Sequence, residues 1–313
     1  MKNILFTLIF ACAALVGVAQ EAAVYSQYQV YPILTNPGYT GFNNQHEFVG
    51  NARSSWTGFA GNPNTFTAMY SGPVGDKLAL GGGIFSENIG DINTFKVQLN
   101  YAFRFRIQRA KIGIGLSTEF LNRSINSDLL NSPIVNPNDV ILENMTNGQK
   151  YFDAAVGTHI LYDEKFFVNF SLPNTVSARL DEVPTTEPTQ DNGGLFSHYI
   201  FHLGYIVNVK GQNFKVIPSL ALRNVRDVPY QIDLNVQGWF LDDKLIAGLT
   251  FRPSSGGSMV FMLGSRIKQF QVLYSYDVGF SDFQQYNGGS HELGLSFSLK
   301  RKSKVQVEEI PGN

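Results

Sequence analysis

Between Phe95 and Ile107 the chain alternates residue by residue. Phe95, Val97, Leu99, Tyr101, Phe103, Phe105 and Ile107 share one face, and Lys96, Gln98, Asn100, Ala102, Arg104 and Arg106 share the other. Successive side chains of a strand point to opposite faces, so this is a strand with one greasy and one polar side. The same period recurs. Ile112, Ile114, Leu116 and Phe120 oppose Lys111, Gly113, Gly115, Ser117 and Glu119. Ile232, Leu234, Val236 and Phe240 oppose Gln231, Asp233, Asn235 and Gln237. Phe270, Val272, Tyr274, Tyr276, Val278 and Phe280 oppose Gln271, Ser275, Asp277 and Gly279, and Leu293, Leu295, Phe297 and Leu299 oppose Glu292, Gly294, Ser296 and Ser298.

This pattern predicts an all-β protein of about fourteen strands, at 46–56, 64–72, 77–86, 92–107, 110–121, 150–161, 164–171, 196–209, 213–224, 229–240, 243–252, 257–266, 268–280 and 290–300. Many are longer than the roughly 5–6 residues usual in soluble sheets and match the roughly 9–11 of a membrane-crossing strand. The connections also segregate. Those after even strands are short, as at Gln108–Arg109 and Leu241–Asp242. Those after odd strands are mostly longer, as at Thr57–Pro63, Glu87–Asp91, 122–149, 172–195 and Ser281–Gly289. Short turns on one rim and longer loops on the other mark an outer-membrane, antiparallel β-barrel. An even strand count then puts both termini on the short-turn, periplasmic side. A soluble sandwich alternates too, but has no reason to sort its loops by parity.

Composition agrees with a barrel wall. Only 16% of the 313 residues are charged, against about 25% in ordinary soluble domains, while 41 are Phe, Tyr or Trp and 30 are Gly. Lys and Arg number 24 and Asp and Glu 25, which argues against a nucleic-acid partner. Mean hydropathy is −0.07, too low for a bundle of apolar transmembrane helices.

The first residues read as a Sec signal peptide over 1–19: Lys2, an apolar stretch from Ile4 to Val18, then Gly17-Val18-Ala19 as the cleavage site. The single cysteine, Cys12, lies inside it, so a mature chain would hold no disulfide. A lipoprotein reading of Cys12 fits poorly, because apolar residues continue beyond it. The expected layout is this signal peptide, an N-terminal segment 20–45 docking at the barrel mouth, a barrel over 46–300, and a periplasmic tail over 301–313.

Catalytic and metal chemistry find little support. His198 and His202 have a helical metal-pair spacing but sit in a strand pattern without a third ligand. His291 stands beside Ser290 and Glu292 and tempts a hydrolase reading, yet strand neighbours face opposite ways. No cofactor, metal or small-molecule substrate is expected. The lumen-facing polar set is Lys96, Arg104, Arg106, Glu119, Asp233 and Asp277. The arginines either line a pore or pair with Asp233 or Glu119.

Several ordered motifs then carry a resemblance. They are Ser26-Gln27-Tyr28; Asn36-Pro37-Gly38-Tyr39; Arg53-Ser54-Ser55-Trp56-Thr57-Gly58-Phe59; Gln231-Ile232-Asp233-Leu234-Asn235; Tyr274-Ser275-Tyr276-Asp277; and Gly289-Ser290-His291-Glu292-Leu293. Over about 24–300 the chain resembles the PorP/SprF family of type IX secretion system membrane proteins of the Bacteroidota. Gly38 and Thr40 stand where the family has alanines, and Ser55 where it has Gln. The resemblance implies a non-enzymatic barrel in the outer membrane of a Gram-negative bacterium. It also implies work with the secretion machinery and with cargo bearing a dedicated C-terminal domain, gliding adhesins included. Loops 122–149 and 172–195 and the segment 20–45 are the expected contact surfaces, besides membrane lipid. The motif residues Ser26, Gln27, Tyr28, Asn36, Pro37, Tyr39, Arg53, Trp56, Gly58, His291 and Glu292 are candidate partner contacts, with girdle or rim packing the plainer role for Tyr28, Tyr39 and Trp56. A diffusion channel and, further off, a hydrolase are the rival readings.

Overall fold

Alternation becomes a closed wall. The computed structural model describes residues 25–127, 145–181, 198–209, 213–225, 230–254 and 256–301. Its wall strands are β1 (Gln45–Ser54), β2 (Asn64–Pro73), β3 (Leu78–Ile89), β4 (Ile92–Ile107), β5 (Ala110–Ile125), β6 (Gln149–Tyr162), β7 (Phe166–Leu172), β8 (Tyr199–Tyr205, resuming at Val207–Asn208), β9 (Phe214–Asn224), β10 (Gln231–Phe240), β11 (Leu245–Arg252), β12 (Ser258–Ile267), β13 (Phe270–Gly279) and β14 (Ser290–Lys300). Each pairs antiparallel with its sequence neighbours, and β14 pairs with β1 from Gln45↔Lys300 to Ser54↔His291. The fourteen-strand barrel therefore has no free edge, as a strand wall in hydrocarbon requires. A two-residue strand, Ala178–Arg179, hangs on β6 outside this wall.

The greasy faces point outward. Phe48, Phe66, Leu99, Phe103, Leu116, Leu234, Phe261 and Leu295 are each 44–50% exposed, as expected of side chains that meet lipid. No described helix is long and apolar enough to cross a membrane. The tight turns of the short-turn rim use left-handed backbone, as at Asp163 and Glu164 (φ 54° and 55°), the geometry that matches the twist of the flanking strands.

Two expectations shift. β3 runs to Ile89 and β4 starts at Ile92, so the long-loop rim holds one tight hairpin, turning on Gly90 at φ 56°. Strand lengths also spread more widely, from 16 residues in β4 and β5 to seven in β7. The cores of the two long loops (128–144 and 182–197), residues 1–24 and the tail after Arg301 lie outside the described residues. Arg301 itself reaches Asp76 at 3.0 Å on the short-turn rim.

Candidate functional site: the filled lumen

The N-terminal segment does not stop at the mouth. Residues 25–44 run through the lumen, so the expectation of docking at the barrel mouth is corrected. The reason is chemical. The segment carries polar tips and aromatic rings that match a lumen which is polar toward the long-loop rim and apolar toward the short turns. It folds into three one-turn 3-10 helices, Gln27–Gln29, Pro32–Leu34 and Pro37–Tyr39. Prolines open the last two, where a missing N–H costs nothing.

Toward the long-loop rim lies a chain of six alternating charges on six wall strands. Glu292 Oε2 accepts from Arg53 Nη1 at 3.0 Å, and Arg53 Nη2 donates to Asp277 Oδ2 at 2.8 Å. Arg252 donates to Asp277 Oδ2 at 2.9 Å and to Asp233 Oδ1 at 3.1 Å, and Arg223 Nη2 donates to Asp233 Oδ2 at 2.7 Å. Three carboxylates face three guanidinium groups, so the buried charge balances. Asp233 and Glu292 are 0–1% exposed. Desolvation at such burial is repaid only by close pairing and full hydrogen bonding.

The segment completes this chain. Ser26 N–H donates to Glu292 Oε2 at 2.7 Å and its hydroxyl to Asp277 Oδ2 at 2.8 Å, while Arg53 and Arg252 both donate to Ser26 Oγ. Gln27 N–H meets Glu292 Oε1 at 3.2 Å, and Gln27 Nε2 donates to the wall carbonyls of Leu273 and Glu292. Tyr28 donates its hydroxyl to Asp233 Oδ2 at 2.9 Å, and Arg223 lies over its ring at 4.8 Å. The Ser-Gln-Tyr element is thus the contact between segment and wall. Tyr28 is 1% exposed and serves neither girdle nor rim.

Below this lies an apolar floor. Tyr31 and Ile33 of the segment pack against inward-facing Val49, Met69, Ile217, Trp239, Ile246, Met262 and Leu273. To one side, the Asn36-Pro37-Gly38 turn presses on a bare patch of β5 and β6. A Cβ at Gly113 or Gly115 would sit 2.3 Å from the Gly38 or Pro37 carbonyl oxygen, and one at Gly157 would sit 2.1 Å from Asn36 Oδ1. Asn36 caps its own turn by accepting from Gly38 N–H, and donates to the Thr158 carbonyl at 2.9 Å. Tyr39 stacks on Phe42 and meets His159 edge-on.

The remaining candidates scatter. Lys96 and Glu119 face inward and pair at 2.8 Å. Arg104 is inward and buried but pairs with neither Asp233 nor Glu119. It donates instead to the carbonyls of Gly41, Gly75 and Leu78. Arg106 is not in the lumen. It stands at the strand end on the short-turn rim, exposed, 3.2 Å from Glu164. Trp56 sits on the long-loop rim, edge-on to Phe283, and Gly58 turns that loop at φ 86° with open space around it. His291 and Glu292 part company: Glu292 enters the charge chain, while His291 faces outward, with Nδ1 2.6 Å from the Tyr274 hydroxyl. Ser290 is buried and accepts from Trp56 N–H, turned away from His291. No cluster of three or more His, Cys, Asp or Glu that could hold a metal occurs among the described residues.

Sequence reasoning missed Arg223, Arg252 and Asn51 of the charged site, the glycine patch and the apolar floor. The floor had a signal. Runs such as Val272-Leu273-Tyr274 and Met259-Val260-Phe261-Met262-Leu263 break the alternation, which means both faces are covered.

Residues 17–297 match the family model for the type IX secretion system membrane protein PorP/SprF. No curated protein matches the sequence. Among solved structures, the CymD monoaromatic hydrocarbon channel is similar over 92% of this chain and 95% of its own, with a TM-score of 0.50 and 10% identity. The Acinetobacter baumannii outer membrane protein Omp33 aligns over 82% of this chain and 99% of its own (TM-score 0.46, 10% identity), and the Escherichia coli outer membrane phospholipase A over 85% and 98% (TM-score 0.36, 9% identity). At these identities the likeness is one of fold alone.

Proposed function

The chain belongs to the PorP/SprF family of type IX secretion system membrane proteins, and from that premise we propose that it acts as a closed outer-membrane anchor for this machinery. In this reading it supports the secretion or surface attachment of cargo bearing a dedicated C-terminal domain, gliding adhesins among them. The observation that carries the reading is the filled lumen. Residues 25–44 are hydrogen-bonded or packed against opposite sides of the wall, from Glu292 and Asp233 to Gly115 and Thr158. A barrel stoppered in this way offers its rims, rather than its bore, to partners. The long-loop rim, where Trp56, Phe59 and Phe283 pack together, and loops 122–149 and 172–195 are the surfaces assigned to those contacts. The role is non-enzymatic, in keeping with Ser290 and His291 facing opposite sides of the wall.

Purified protein in a planar bilayer is expected to pass no large steady current. Cells lacking the chain are expected to lose surface display of one or more proteins with the C-terminal domain, while His291→Ala cells keep both display and lipid turnover. A large steady current through the wild type would overturn the anchor in favour of a diffusion channel. Lipid turnover that disappears with His291→Ala would favour a hydrolase.

A further inference from the structure

The wall has one seam that its own sequence interrupts. β8 and β9 pair from Tyr199↔Asn224 to Gly204↔Ser219 and again at Val207↔Val216 and Asn208↔Lys215. The two positions between, Tyr205 opposite Pro218 and Ile206 opposite Ile217, are unpaired although the register does not change. Proline explains both gaps. Ile206 N–H turns to Lys165 on the β7 side, so the N–H and carbonyl of Tyr205 face β9. The group opposite the Tyr205 carbonyl is the Pro218 nitrogen, which has no hydrogen. Both missing pairings are those an antiparallel ladder would build through that hydrogen. Proline is otherwise nearly absent from sheet interiors, and here it leaves a backbone carbonyl without its ladder donor in a wall that faces lipid.

An apolar groove of about 480 Å³ lies over this seam on the outer face. It runs between two rows of outward side chains across β7 to β11, one through Leu203, Leu220 and Leu234, the other through Tyr205, Pro218 and Val236. Four inter-strand spacings make it about 19 Å long. Its volume is that of a ligand site, and it is continuous with the lipid-facing belt.

We propose that this groove is a binding site for a membrane lipid whose acyl chain carries a hydroxyl group. The alkyl chain lies between the two rows, and the hydroxyl donates to the Tyr205 carbonyl in place of the absent Pro218 N–H. Hydrocarbon offers that carbonyl no other donor, and an unmet backbone group is costly there.

The test uses the full-length protein in detergent, delipidated, with palmitic acid and 3-hydroxypalmitic acid as probes and bound ligand read by native mass spectrometry. Wild type should bind the hydroxylated chain up to about tenfold more tightly, the value of one net hydrogen bond. Pro218→Ala restores the N–H and should abolish that preference while leaving the barrel folded, as judged by heat-modifiable migration. Leu220→Trp fills the groove and should lower binding of both probes. Equal affinity for the two probes in the wild type, a preference that survives Pro218→Ala, or binding untouched by Leu220→Trp would each overturn the proposal. None of these outcomes depends on whether the protein is an anchor or a channel.

Discussion

Gly115→Val should open the bore. A side chain at this position meets backbone, not a flexible tip: the Cβ alone would lie 2.3 Å from the Pro37 oxygen, 2.4 Å from its carbon and 2.7 Å from Gly38 N. Either β5 or the Asn36-Pro37-Gly38 turn must move. β5 is held on both sides, with Gly115 paired to Ala102 and Gly157, and valine suits a strand better than glycine. The turn is therefore the part that yields. Overpacking of this kind costs about 1–3 kcal/mol, enough to shift a segment whose alternative is solvent. The expected readout is a steady current in a planar bilayer where the wild type shows none, together with new protease cleavage between residues 25 and 44. Gly50→Val is the matched control, because nothing lies within 4 Å of a Cβ there. If Gly115→Val conducts no better than Gly50→Val, the segment is not what closes the lumen.

Asp277→Asn should be the most destabilising single change in the charged chain. One carboxylate oxygen accepts from Arg53, Arg252 and Ser26 together, and both arginine side chains are 7% exposed. Neutralising it leaves the lumen with three guanidinium groups and two carboxylates. Removing one partner from a buried ion pair costs about 3–5 kcal/mol, far more than the pair's net worth, because the remaining charge stays desolvated. The measurement is the urea midpoint of the folded barrel in detergent, with Arg106→Ala beside it. Arg106 and Glu164 are 61% and 65% exposed, so that pair should contribute about 0–1 kcal/mol and fade with salt. Equal shifts for the two variants would show that the six charges do not act as a buried unit.

Much of the wall was legible because lipid enforces a strict period. The outward residues of β4 and β10 come straight from alternation, and each of the fourteen strands overlaps its expected span. Asp233, Asp277 and Glu292 also stood out, since a charge on the inward face of a strand demands a partner. Their partners were harder to see. Arg223 and Arg252 lie at strand ends, where basic residues ordinarily mean an interface. Arg104 escaped for another reason: it is satisfied by backbone carbonyls, which no charge-matching can anticipate. The 3-10 turns of the N-terminal segment have no period, so Asn36-Pro37-Gly38-Tyr39 read as a surface turn. What marks it as an inner contact is the glycine patch on β5 and β6, far away in the chain.

The Ser26 and Gln27 contacts fall on the seam where the barrel closes. Glu292 belongs to β14, Asn51 and Arg53 to β1, and the Ser26-Gln27 backbone joins all three from inside. A barrel that zipped β14 to β1 first would then have to draw a bulky, ring-laden chain through a narrow bore against its own packing. The economical order is the reverse. The leading segment lies in the half-formed trough while the sheet is still open, and it presents β14 with a ready template. Assembly of the wall and occupation of its interior thus become a single step, and damage to the Ser-Gln-Tyr element should appear first as a defect of biogenesis.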